Sequence, residues 1–411
     1  MSCEQIDKKK FLILHFFSIS ITLLSTDIYL PCLPKINEYF RISGEISQLI
    51  ISFFFLGSFL GSLFYGPLSD IFGRRKAMIL GLSIFTVGAC LCVFSSNVSF
   101  LIFSRFIQGI GMGAINVVGW TVVNDIYKGK TAAKAMSWFG SLLSCVIACA
   151  PILGGELAYW FGWHSNFVFI AVLSVLLLTL KLKFFPETLP ENKRSSLSLY
   201  DTITTIRNIL VFRPFISYVV LFPLFCIGEW CCLIIMPFFL QHNLGFNSEQ
   251  SGYIIGGMVS TYIFSAALAP KIINKYGLNM TIKAGIYLAL IGGILLLYVS
   301  FIYPDNLYLI IFSQVFYFFG GALIFGPSSS IALQSIETGR GTASTIRSSL
   351  FLLFSTIGSF IGYLFVSDFY LLTVSLCMIA STTGIFIIYK WFCIDAFEVW
   401  SEPDTLRKKL A

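Results

Sequence analysis

The sequence predicts an all-α polytopic membrane protein with twelve transmembrane helices arranged as two six-helix halves. Three observations predict it. Of the 411 residues, 57% are apolar, 17% aromatic and only 11% charged, too few charges to cover a water-facing surface of ordinary composition. Apolar stretches long enough to supply the roughly 20 residues that cross a hydrocarbon core recur along almost the whole chain. Nearly all of the 27 Lys and Arg lie in alternate inter-helix segments and tails, with Lys35 and Arg41 on the opposite side and Arg105 expected to be the one inside a span. The positive-inside rule then places both termini in the cytoplasm. The formal charge of +7 is therefore a topology signal and does not point to nucleic acid.

The first helix is expected over 11–36, following Lys8, Lys9 and Lys10. It contains Asp27, Pro31 and Pro34 and lacks a small-residue cleavage site, so it reads as a retained span and not a signal peptide. Helices two to six are expected over 47–66, 77–95, 98–124, 136–160 and 164–183, which closes a first half at 1–183. The polar segment 184–214 carries Lys193, Arg194, Arg207 and Arg213 and reads as a cytoplasmic linker with a surface helix over Leu199 to Val211. The second half, 215–392, is expected to hold helices over 215–240, 252–270, 282–302, 307–333, 345–366 and 370–392, before a cytoplasmic tail at 393–411.

Landmarks of the first half return, degraded, in the second. Gly66-Pro67-Leu68-Ser69-Asp70-Ile71-Phe72-Gly73 has an echo in Pro270-Lys271-Ile272-Ile273-Asn274-Lys275-Tyr276-Gly277, where Asn274 replaces Asp70. Arg105, ahead of Gly111, is answered by Gln314 ahead of Gly320. An internal duplication explains both.

The residues that carry chemistry lie mainly in the first half. In the loop Gly66 to Lys76 the glycines permit a sharp turn, Asp70 is an acid suited to a helix N-terminus, and Arg74, Arg75 and Lys76 mark the cytoplasmic face. Arg105 is costly to embed, by about 2.5–3.5 kcal/mol on insertion scales, which argues for a role. Gly109, Gly111 and Gly113 beside it allow another helix to approach closely. Pro151, Gly154 and Gly155 are expected to bend the fifth helix and let it pack tightly. Asp27 lies among uncharged residues, and low dielectric suits a carboxyl that must load and release a proton. Glu229 is the second embedded acid, and Tyr29, Trp120 and Trp230 are candidate aromatics of the same cavity.

The loop Gly66-Pro67-Leu68-Ser69-Asp70-Ile71-Phe72-Gly73-Arg74-Arg75-Lys76 resembles the signature of the major facilitator superfamily. That resemblance implies the major facilitator fold and a conformational latch made by Gly66, Asp70, Gly73 and Arg74, with Asp125 as the partner of Arg74. Arg105 to Gly113 is similar to the family motif that links an embedded arginine to proton transfer. Ala148-Cys149-Ala150-Pro151-Ile152-Leu153-Gly154-Gly155 is similar to the antiporter motif, with Ala150 where the family usually has Gly. Ser25-Thr26-Asp27-Ile28-Tyr29-Leu30-Pro31-Cys32-Leu33-Pro34 resembles the bicyclomycin and chloramphenicol resistance (Bcr/CflA) group, which implies a drug:proton antiporter of a bacterial inner membrane.

Enzyme signatures such as a nucleophile elbow, a phosphate loop or a zinc-protease pair are missing, and the three His and eleven Cys show no metal spacing, so no cofactor is expected. The expected protein is a monomeric, proton-coupled exporter of small amphipathic compounds in the lipid bilayer. A transporter of one specific metabolite on the same scaffold is the alternative, and a non-transporting receptor or membrane enzyme the remoter one.

Overall fold

The computed structural model describes residues 8–42, 44–126, 129–190, 194, 199–336, 340–364 and 369–393. Every regular element among them is helical. The α-helices are α1 (Lys8–Asp27), α2 (Leu33–Phe40), α3 (Gly44–Phe72), α4 (Arg74–Val93), α5 (Val98–Ile126), α6 (Gly129–Phe161) and α7 (His164–Phe184), then α8 (Leu199–Val211), α9 (Arg213–Val219), α10 (Leu221–Phe238), α11 (Ser248–Ile302), α12 (Leu307–Gln334), α13 (Arg340–Leu364) and α14 (Tyr370–Ile388). Among the described residues, eleven helical segments are long and apolar enough to cross a membrane. The tail expected over 393–411 lies outside the described residues except for Cys393.

The first expected helix is broken. α1 stops at Asp27, a 3-10 turn covers Leu30–Cys32, and α2 resumes at Leu33. Pro31 and Pro34 explain the interruption, because each lacks an N–H and restricts the residue before it. The surface helix expected in the linker is present over Leu199–Val211.

One run of 55 residues, α11, stands where two helices were expected. A straight helix of that length would extend roughly 80 Å, more than twice a bilayer core. It is not straight. Gly277 takes φ 79° and ψ 171°, leaving helical conformation, and the run breaks there. Its start is fixed by a capping box in which Asn247 Oδ1 accepts from the Gln250 N–H at 2.8 Å and Gln250 Oε1 from the Asn247 N–H at 3.1 Å.

The echoes in sequence are echoes in structure. Pro67 lies inside α3 and Gly73 follows it with φ 98°, just as Pro270 lies inside α11 and Gly277 follows with φ 79°. Gly81 and Gly88 come after Gly73 at the intervals at which Gly285 and Gly292 come after Gly277. A Cβ on Gly111 would press on the Gly81 carbonyl, and a Cβ on Gly320 on the Gly285 carbonyl. The same backbone-to-backbone approach thus joins α4 to α5 and the later part of α11 to α12.

The broadest joins between the early helices and the late ones are two helix pairs. α3 lies along α13, with Ser52 Oγ and Ser359 Oγ 2.7 Å apart and Ser62 Oγ and Ser349 Oγ also 2.7 Å apart. α6 lies on α11 through Pro151, Gly155, Ser248 and Gly252. Many embedded hydroxyls bond within their own helix, as where Thr22 donates to the Ile19 carbonyl at 2.7 Å, while Ser58 donates from α3 to the Gly109 carbonyl of α5 at 3.0 Å.

Candidate functional site

Arg105, on α5, is 1% exposed and meets the broken end of α1. Its Nη1 donates to Gln108 Oε1 at 2.6 Å, and its Nη2 donates to the Ser25 carbonyl at 3.0 Å and to Tyr29 Oη at 2.9 Å. The guanidinium carbon lies 3.9 Å from the Phe54 ring centroid and 4.4 Å from that of Tyr29. These contacts replace the water that a buried cation gives up. The enclosure around it, lined by Ser25, Tyr29, Arg105, Gln108, Asn166 and Phe167, is too narrow for a water molecule. Tyr29 packs on Phe167, so it supports Arg105 from within the helix bundle.

Asp27, the last residue of α1, is buried, and its Oδ1 has no hydrogen-bond partner among the described residues. It lies within electrostatic reach of both Arg105 and Glu229. Glu229, on α10, accepts a hydrogen bond at 2.9 Å from Tyr262 Oη of α11. Trp230 stands edge-on to Phe55 of α3, with ring centroids 4.4 Å apart. Trp120 is half-buried on α5. The two embedded acids therefore approach each other from α1 and α10, and Tyr262, which the sequence did not single out, orients one of them.

The loop after α3 forms a network. Arg74 Nη1 donates to Ser69 Oγ and Asp70 Oδ1, each at 2.5 Å, and Arg74 Nε donates to Asp125 Oδ2 at 3.2 Å. Gly66 turns toward Thr345 of α13. Burial pushes the Asp125 carboxyl up from its ordinary value, while Arg74 and a hydrogen bond from Thr188 pull it down. The residue that sequence reasoning missed is Glu187. Its Oε1 accepts from the Arg74 backbone N–H at 2.9 Å and its Oε2 from that of Arg75 at 3.3 Å. It caps α4 in place of Gly73, which offers no side chain and whose Cβ would collide with that carboxylate.

The α6 motif sits at a three-way junction. A Cβ on Gly154 would overlap the Ile28 carbonyl of the α1 break, and one on Gly155 would press on the Ser248 carbonyl of α11. Asn166 Nδ2 donates to the Gly154 carbonyl at 3.2 Å. Pro151 inside α6 faces Gly252.

One expectation is corrected. Arg105 is not the one basic residue within a span: Lys181 is fully buried near the end of α7, and Arg347 lies within α13. Both sit near helix ends, where a loop and a span read alike in sequence.

A family model described as the Major Facilitator Superfamily matches residues 16–363. An uncharacterized transporter of Rickettsia bellii is 32% identical over 183 residues, which are 44% of this chain and 45% of that protein, so the match spans less than half of the relative. The chloramphenicol resistance protein CraA of Acinetobacter baumannii is 25% identical over 344 residues, covering 82% of this chain and 81% of CraA. Among solved structures, the human organic anion transporter MFSD10 is similar with a TM-score of 0.72 at 18% identity, over 94% of this chain and 99% of that one.

Proposed function

The chain belongs to the Major Facilitator Superfamily, whose model matches residues 16–363, and on that premise we propose that this multi-pass membrane transporter is a proton-coupled exporter of small amphipathic compounds. The finer reading places it in the Bcr/CflA group, with twelve spans in two six-helix halves, α11 supplying two of them across Gly277, and both termini cytoplasmic. The likeness to CraA, named for chloramphenicol resistance, supports a drug-like substrate.

What carries the reading is the pair of embedded acids. Asp27 and Glu229 come from opposite halves and lie within electrostatic reach of each other, with Oδ1 of Asp27 unpartnered among the described residues. A carboxylate at the C-terminal end of α1 opposes the helix dipole, so arrival of a proton or a cationic group there relieves an unfavourable contact. Arg105 adds a fixed positive charge on the other side. Proton and substrate then compete for the acids while the halves rock about them.

The ends of α1, α6, α10 and α11 meet at one face. Gln241 Nε2 donates to the Pro31 carbonyl at 2.7 Å, and Tyr253 Oη donates to Glu156 of α6. With the termini in the cytoplasm this is the outer face, closed in this state. The Asp70, Arg74 and Asp125 network lies at the opposite face, where it serves as a conformational latch.

Reconstitution into proteoliposomes with an imposed pH gradient tests the proposal, using chloramphenicol and tetraphenylphosphonium as probes. Gradient-driven accumulation is expected in the wild type and its loss in Asp27→Asn and Glu229→Gln. Full gradient-driven transport by both variants would overturn the assignment of the acids.

A further inference from the structure

Arg347 is the embedded cation that the coupling scheme does not use. It lies about two turns into α13, half-buried, and its Nε is buried without a hydrogen-bond partner. Among the described residues no carboxylate forms an ion pair with it. Its guanidinium carbon is 5.8 Å from the Phe325 ring centroid of α12. Phe325 in turn meets Phe222 of α10 at 4.6 Å between centroids, and Phe222 stacks on Phe351 of α13 at 6.1 Å with an interplanar angle of 9°. Phe325 is thus the ring beside Arg347, and Phe222 and Phe351 extend it into an aromatic cluster drawn from three helices.

An arginine cannot discharge itself. A lysine in such a setting can lose its proton, but a guanidinium stays charged, and no carboxylate among the described residues pairs with it. Phe222 precedes Glu229 by seven residues on α10, which places the two on the same helical face, roughly 10 Å apart along the axis. Phe222, which meets the Phe325 ring beside Arg347, therefore shares one face of α10 with the embedded acid.

We infer that Arg347 with Phe222, Phe325 and Phe351 forms a second subsite of the transport cavity, which takes the acidic group of an aromatic amphiphile. The rings hold its apolar body and the guanidinium pairs its carboxylate or equivalent anion. With Glu229 further along the same wall, a substrate that also carries an amine spans both subsites. The inference rests on the reading of this space as a substrate cavity and extends it from lipophilic cations to aromatic acids and zwitterions.

Equilibrium binding to purified protein in phosphatidylcholine vesicles, with no gradient imposed, tests it using 2-naphthoate and its neutral counterpart 2-naphthylmethanol. The wild type is expected to bind the acid at least tenfold more tightly than the alcohol. Arg347→Gln should equalise the two while still binding the alcohol, which also reports that the variant is folded. Phe325→Leu should weaken both alike. Equal binding of acid and alcohol by the wild type, or an unchanged preference in Arg347→Gln, would overturn the subsite. Adding phosphatidylglycerol separates the two sources of anion: a preference abolished by that lipid assigns Arg347 to a headgroup and refutes the proposal, whereas a preference retained supports it. Since no proton gradient enters the measurement, loss of coupling in the acid variants and loss of acid preference here are separate outcomes.

Discussion

Arg105 of α5 and Tyr29 of the break after α1 hold each other: Nη2 of the arginine donates to the phenol oxygen at 2.9 Å, and the guanidinium carbon lies 4.4 Å from the centroid of the same ring. Tyr29→Phe keeps the ring and removes the acceptor. One buried guanidinium N–H then loses its partner, at a cost of about 1–3 kcal/mol. The expected outcome is a lower melting midpoint in detergent with transport reduced and not abolished. Arg105→Lys keeps the charge but cannot reach Gln108, Ser25 and Tyr29 together, and should lose transport by more than tenfold. A lysine variant that transports at the wild-type rate would show that charge alone matters.

Glu187 is expected to matter for the order of the cytoplasmic network more than for chemistry. Its two oxygens accept from the backbone of Arg74 and Arg75, and the adjacent Thr188 donates to Asp125 at 3.2 Å. Glu187→Ala removes a helix cap, a loss of about 0.5–2 kcal/mol. Limited trypsin digestion should then cut faster at Arg74 and Arg75, while binding of tetraphenylphosphonium at equilibrium stays unchanged. Unchanged cleavage would mean the cap contributes nothing to the order of this loop.

Much of the architecture was legible because lipid imposes a simple rule. Spans must be long and apolar, and the linker helix at Leu199–Val211 was visible as an amphipathic stretch in a polar segment. The Asp70, Arg74 and Asp125 contacts followed from a motif whose residues lie close to two helix ends. Glu187 was not legible, because a cap supplied from beyond α7 to the start of α4 leaves no local spacing to read. Tyr262 was hidden for the same reason, one tyrosine among 18 in the chain. Arg347 falls inside the helix expected over 345–366, yet charge near the start of a span reads as cytoplasmic until its neighbours are known. The break after Asp27 had its prolines in plain view, yet hydropathy continues through it, and only the hydrogen-bonding pattern divides α1 from α2.

Gly154 gives the sharpest test of the junction where α6 meets the α1 break. A Cβ there would overlap the carbonyl oxygen of Ile28, a backbone atom that cannot rotate away as a side-chain tip does. Gly154→Ala must therefore push α1 from α6, and small-to-large changes in packed interiors cost about 1–3 kcal/mol. Displacing Ile28 also moves its neighbours Asp27 and Tyr29, so transport should fall further than stability. Gly257→Ala on α11 is the control, because no atom lies within 4 Å of the added methyl and a helix interior favours alanine over glycine by roughly 1 kcal/mol. Gly257→Ala should melt at or above the wild-type temperature and transport normally, whereas Gly154→Ala should melt lower and lose most gradient-driven accumulation. If the two variants behaved alike in transport, close contact between Gly154 and Ile28 would not be what couples α6 to the embedded acid.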